Sequence, residues 1–174
     1  MSVRTILRLG HPALRKRCTR VRDFGGAELR ALLDDLRDTL ADFRLRNGFG
    51  RGIAAPQIGD TRSVVVINVD EPLALINPAI TRQSRTMMTL WDDCFSFPDL
   101  AVKVKRHLSI EVQYRDVEGH RRVMKAKGAL AELLQHEIDH CHGILAIDRA
   151  IDARHIIYKS ELERHRSARA RKEM

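Results

Sequence analysis

His136-Glu137-Ile138-Asp139-His140 is the segment of this chain whose residue types and spacing most directly imply chemistry. Helical residues four apart leave the same face one turn apart, so the imidazoles of His136 and His140 can grip one ion. Glu137, beside the first histidine, can bring its carboxylate to the open face of that ion without ligating it. That is where a general base for an activated water belongs. A solvated helix that happens to carry two histidines is the plain alternative. The apolar run from Ala129 to Leu134 weighs against it, because it calls for burial, and buried histidines and acids need partners.

A catalytic ion needs a third protein ligand and an open position. The chain has three cysteines, Cys18, Cys94 and Cys141. Cys18 stands among Arg15, Lys16, Arg17 and Arg20 and reads as exposed and incidental. Cys141 follows His140 but is turned about 100° around the helix, toward the core. Cys94, in Trp91-Asp92-Asp93-Cys94-Phe95-Ser96, lies on a loop between strand-like segments and is the best candidate to carry a thiolate to the helix. His142 and the remaining histidines read as surface residues. An odd number of cysteines with no framework spacing argues against a disulfide scaffold.

The elements that must position these groups have their own patterns. Leu29, Leu32, Leu33, Leu36, Leu40 and Phe43 recur at helical spacing over 28–43, with Asp34, Asp35, Arg37 and Asp38 on the wet side and Asn47-Gly48 as a stop. Gly48-Phe49-Gly50-Arg51-Gly52 is too glycine-rich for a helix or central strand and frees the backbone for a close approach. Val64–Asn68 and Leu73–Ile76 read as short strands. Leu108, Ile110, Val112 and Tyr114 alternate with polar residues in a half-buried strand, and Asp116 to Gly119 turns it into a return strand through Val123. After Gly128 the period becomes helical again, with Leu130, Leu134, Ile138 and Cys141 on one face and Gly143 as terminator. From Ala153 the chain reads as helical and increasingly basic, with Arg164, Arg166, Arg169, Arg171 and Lys172. One long helix early, strands between and a helix late predict an α+β domain.

At 174 residues the chain suits one domain, with residues 1–150 as the catalytic unit and 151–174 as a basic C-terminal helix or tail. No apolar run approaches the roughly 18 residues that span a bilayer, and Met1 to Gly10 lacks the apolar stretch of a secretory signal, so the expected compartment is the cytoplasm. The net charge of +8 favours polyanions. With few aromatics and no nucleic-acid-binding pattern, sequence-specific DNA or RNA recognition is not expected.

Three separated segments, in order, resemble the peptide deformylase family: Gly50-Arg-Gly-Ile-Ala-Ala-Pro-Gln57, Cys94-Phe-Ser96 and Gln135-His-Glu-Ile-Asp-His140. Ile6 to Arg15, Leu75-Ile-Asn-Pro78 and Val104-Lys-Arg106 are similar as well, so the likeness runs to about Asp148. The resemblance implies antiparallel β-sheets around a central metal-binding helix. It implies Cys94, His136 and His140 as ligands of one divalent ion, iron(II) in the cell with zinc or nickel as substitutes. The activity implied is hydrolysis of the N-formyl group from the N-terminal formylmethionine of nascent chains, with release of formate. Glu137 would move the water proton to the leaving nitrogen, and Gln57 with the backbone N–H of Phe95 would hold the oxyanion. Gly50, Arg51, Gly52, Asp92, Asp93 and Leu133 would surround the substrate. Arg106 and Asp139 would pair and steady the ligands. The implied partners are an N-formylated peptide and, through the basic C-terminal segment, ribosomal RNA, with no membrane.

The chain also departs from that family. Asp92-Asp93 stands where glutamate and glycine are usual, Phe95 and Cys141 replace leucines, and Arg51 replaces an apolar residue. The reading of these changes is that Arg51 pairs with Asp92 or Asp93 across the pocket mouth and makes it narrower or more polar. Such a pocket would favour a different N-formyl substrate, and a pocket blocked by Asp93 would leave a non-catalytic ribosome-associated relative. An ordinary zinc peptidase has no place for Cys94 and Gln57.

Overall fold

The computed structural model describes residues 2–170, with side chains described through Arg164. The leucine stripe winds into α1, Ala27–Asn47, and Leu29, Leu32, Leu33, Leu36, Leu40 and Phe43 are all buried. In chain order the strands are β1 (Gly52–Ala54), β2 (Val64–Asn68), β3 (Pro72–Gln83), β4 (Met87–Asp92), β5 (Leu100–His107), β6 (Ser109–Arg115) and β7 (Arg121–Lys127). Helix α2 (Ala129–Cys141), strand β8 (Ile156–Tyr158) and helix α3 (Lys159–Ala170) complete the chain. One sheet has the order β1-β2-β3-β6-β7 and the other β4-β5-β8, and their strand pairs are antiparallel. Among the described residues no helix is long and apolar enough to cross a membrane.

The larger sheet is covered on both faces. Successive side chains of a strand point to opposite sides, so Val64, Val66, Ala74 and Ile76 pack with α1, whereas Val65, Ile67 and Leu75 pack with α2. That is why β2 is apolar from Val64 to Ile67 rather than alternating. A third cluster, built on Val102, Val104, Leu14, Phe97 and Leu145, fills the space behind the smaller sheet and contains Cys94. Helix α2 lies between the sheets and is buried from Ala131 to Cys141.

Several elements differ from the pattern-based expectation. β3 runs on to Gln83 because Asn77 adopts a positive φ of 52° and the pairing with β6 shifts there. The Asn77 side chain secures that bend by exchanging two hydrogen bonds with the Val21 backbone, at 2.8 and 2.9 Å. β4 and β5 are the strands that flank the cysteine loop, and in β5 Val102, Val104 and Arg106 are buried between half-buried or exposed lysines. The segment after Ala153 is not continuously helical. Ala153–His155 forms a 3-10 turn, and β8 then closes the edge of β5 before α3 begins. Arg171 and Lys172 of the basic tail lie outside the described residues.

Candidate functional site

Helix α2 is held by its own polar side chains. Gln135 accepts from the His107 N–H at 2.9 Å and donates back to the His107 carbonyl at 2.9 Å, which fastens the helix to β5. With the helix fixed, His136 and His140 project toward the cysteine loop. Their Nε2 atoms are 3.2 Å apart, and His140 Nε2 is 3.3 Å from Cys94 Sγ. Bonds of about 2.0–2.1 Å to nitrogen and 2.3 Å to sulfur around a tetrahedral ion put ligand atoms about 3.3–3.6 Å apart, so the donor set fits a divalent cation. All three residues are buried, at 1–5% exposure. His136 Nδ1 lies 2.9 Å from Asp92 Oδ1, which assigns the proton to Nδ1 and leaves the Nε2 lone pair facing its neighbours. Burial, followed by the nearby His136, pushes His140 well below the ordinary histidine value, which keeps it a neutral donor.

The cysteine loop is set from two sides. The Phe95 ring stacks on Phe43 of α1 with centroids 3.8 Å apart. The extended N-terminal segment ties two of the motifs together, because Leu7 N–H donates to the Gln57 carbonyl at 2.8 Å and Leu9 N–H to the Ser96 carbonyl at 2.9 Å. Gln57 itself is 1% exposed; its Oε1 accepts from Ala54 N–H at 2.9 Å, and its Nε2 points at Cys94 Sγ, 3.6 Å away.

Glu137 is 3% exposed, and its Oε2 has no hydrogen-bond partner among the described residues. Burial pushes its carboxyl up to about 7. β1 approaches this side chain so closely that a Cβ at Gly52 would lie 2.9 Å from Glu137 Oε1 and 3.1 Å from Leu133 Cδ1. A Cβ at Gly50, where φ is +131°, would press on the Phe95 ring at 2.8 Å. The two glycines are therefore required by contact with the residues that build the site.

Behind the histidines runs a chain of buried charge. Arg106, 3% exposed, donates to Asp92 at 2.9 Å and to Asp139. Asp139 also takes a two-pronged contact from Arg149, at 2.7 and 3.2 Å. Burial disfavours the charged form of Asp92, but His136 and Arg106 overrule it and hold the carboxyl well below the usual carboxylate range.

Cys94 and His136 open on a cleft of about 490 Å³ that also reaches Gly50, Arg51, Gly52, Trp91, Asp92, Asp93 and Leu133. Arg51 pairs with neither Asp92 nor Asp93, contrary to the expectation from the sequence. Asp92 is turned inward to His136 and Arg106, and Asp93 is bridged by Lys159 at 2.7 Å. Arg51 reaches instead to α2, where its Nη2 lies 2.6 Å from Glu132 Oε2 and its Nη1 3.2 Å from the Ala129 carbonyl. Glu132 escaped the sequence reading, although its position one turn before His136 was a signal that it shares the site's face. Cys18 is also half-buried rather than exposed, with its N–H on the Cys141 carbonyl at 2.8 Å.

The sequence pattern of the polypeptide deformylase family matches residues 3–155. The chain belongs to this family. A peptide deformylase of Rhizobium meliloti is 37% identical over 154 residues, 85% of each chain. One of Thermomicrobium roseum is 40% identical over 162 residues, covering 87% of this chain and 88% of the relative. The crystal structure of a Legionella pneumophila peptide deformylase superposes with a TM-score of 0.82 at 32% identity, over 98% of this chain and 99% of that one. The deformylase fold thus extends over nearly the full length, with the possible metal group Cys94, His136 and His140 at its centre.

Proposed function

We propose that this chain removes the formyl group from N-terminal formylmethionine of nascent polypeptides and releases formate. The observation that carries the proposal is the buried triad of Cys94, His136 and His140 with Glu137 and Gln57 at the same cleft. Cys94, His136 and His140 would hold one divalent ion, iron(II) in the cell, which when bound acidifies water and polarises a carbonyl. Glu137, raised to about 7 by burial, takes the proton of the attacking water and delivers it to the leaving nitrogen. Gln57 Nε2 and the Phe95 backbone N–H donate to the developing oxyanion. Asp92 fixes the tautomer of His136, while Arg106 and Asp139 keep Asp92 in place.

The test is formate release from formyl-Met-Ala-Ser by protein reconstituted anaerobically with iron(II), compared with zinc and nickel. Glu137→Ala should keep the metal and lose the activity. Metal-loaded protein that releases no formate from any formyl-peptide would sink the proposal and favour a non-catalytic relative.

We also propose that the catalysis resides in residues 1–150, and that the chain works in the cytoplasm and docks on ribosomal RNA through the basic segment 151–174. The positive charge of that segment supports the docking. Co-sedimentation with ribosomes should weaken steeply with salt and disappear when the chain ends at Glu163; salt-independent binding would exclude it.

A further inference from the structure

The cleft changes character along its length. Its inner end holds Cys94, His136 and Glu137, and its outer end carries an ion pair, Arg51 with Glu132. Glu132 and His136 are one turn apart on α2 and both line the cleft, with a Glu132 carboxylate oxygen within 4.8 Å of a His136 ring nitrogen, so the pair stands within a side chain's length of the reacting centre. That is comparable to the reach of an extended four-atom side chain from the amide being cut. Leu133 and Trp91 line the same space and suit the stem of such a side chain.

Arg51 is half-exposed but tied to α2 at two points. The Glu132 side chain is only 10% exposed, and burial together with the charge of Asp92 raises its carboxyl, so the ionised form depends on the guanidinium. The Ala129 carbonyl holds a second guanidinium nitrogen. A guanidinium has five N–H donors, and these two contacts leave others for a ligand in the cleft. A hydrocarbon side-chain end would strip water from them and return no hydrogen bond, whereas an acceptor would replace the water.

We propose that the Arg51–Glu132 pair makes this cleft select formyl-peptides whose first side chain ends in a hydrogen-bond acceptor, such as an amide or sulfoxide oxygen, over those ending in hydrocarbon. The inference rests on the deformylase reading of the cleft. Methionine, whose thioether is a weak acceptor, falls between the two classes, and its sulfoxide is the form of the first residue that Arg51 suits best.

The experiment compares kcat/KM for four formyl-peptides, X-Ala-Ser with X as norleucine, methionine, methionine sulfoxide or glutamine, using iron(II)-loaded protein. Binding of the corresponding unformylated products is read from the fluorescence of Trp91, the single tryptophan, which lines the cleft. Sulfoxide and glutamine should exceed norleucine by about tenfold, the scale of one modest pocket contact. Arg51→Leu combined with Glu132→Leu should reverse that order in both readouts, and Arg51→Lys should keep the order with a smaller ratio. Norleucine equal to or better than glutamine in the unaltered protein overturns the inference. So does an order that the double substitution leaves unchanged. Formate released with the wrong order defeats the inference alone; no formate from any of the four peptides defeats the deformylase reading beneath it.

Discussion

Asp92 joins the metal-facing helix to the charge network behind it: one carboxylate oxygen lies 2.9 Å from His136 Nδ1, and the other lies 2.9 Å from Arg106 Nη2. A ligand histidine whose far nitrogen is held by a carboxylate is fixed in tautomer and ring orientation before any ion arrives. The aspartate at this place lines the cleft, as expected from the sequence, but its carboxylate serves the ligand histidine rather than Arg51.

Asp92→Asn should therefore loosen the metal without removing a ligand. Competition with a chelator at pH 7 should show about 10- to 100-fold weaker retention, the usual cost of losing such a partner. Retention equal to that of the parent would mean that the histidine is oriented by packing alone.

Among the described residues Arg106 alone reaches both Asp92 and Asp139. Arg106→Met leaves buried carboxylates without it, although Arg149 still reaches Asp139 from a half-exposed position. Removing one partner from a buried pair costs about 3–5 kcal/mol. Urea unfolding of the variant and the parent measures this directly, and a loss below about 1 kcal/mol, the level of a surface pair, would exclude the interior role.

Asp60 follows the turn that carries Gln57 and contacts Arg62 at 2.6 Å. Burial alone would raise its carboxyl, but hydrogen bonds and charge from Arg62 keep it below its ordinary 3.8. A depressed carboxyl contributes stability that is complete above the unfolded value and fades as pH falls through the folded one. Asp60→Asn should thus lower stability by about 1 kcal/mol at pH 7, as for a half-buried hydrogen-bonded ion. The gap between variant and parent should close below about pH 4. Urea midpoints at pH 7 and pH 3 test this, and a gap that widens in acid would refute it.

Lys159 ties the start of α3 to the cleft rim. Its Nζ lies 2.7 Å from Asp93 and 4.1 Å from the centroid of the Phe49 ring. Lys159→Ala should raise KM for formyl-Met-Ala-Ser by about two- to fivefold, since half-exposed pairs and cation–π contacts are each worth about 0.5–1 kcal/mol. kcat and metal content should stay near those of the parent. A fall in kcat with KM unchanged would place the effect at the chemistry instead.

Much of the reacting centre was legible because it depends on local geometry. The helical period alone puts His136 and His140 on one face with Glu137 beside them, and composition alone separates Cys94 from the cysteines flanked by arginines or turned to the core. The glycines of the first motif announced a close approach, and the approaching groups are Glu137, Leu133 and Phe95. β4 and β5 were less legible because lysines and a buried arginine interrupt their apolar alternation. Arg106 looks polar in the sequence and becomes interior only because two aspartates meet it.

By itself, the sequence determined the chemistry available: two imidazoles, a thiolate, a carboxylate and a carboxamide whose order and spacing belong to one family. The tertiary structure decided who faces whom. Arg51 and Glu132 are 81 residues apart in a chain with 23 acidic residues, and only the packing of β1 against α2 selects that pair. Periodicity is set by neighbouring peptide units and can be read along the chain. The partner of a long charged side chain is set by which surfaces close over it, and that depends on the whole fold.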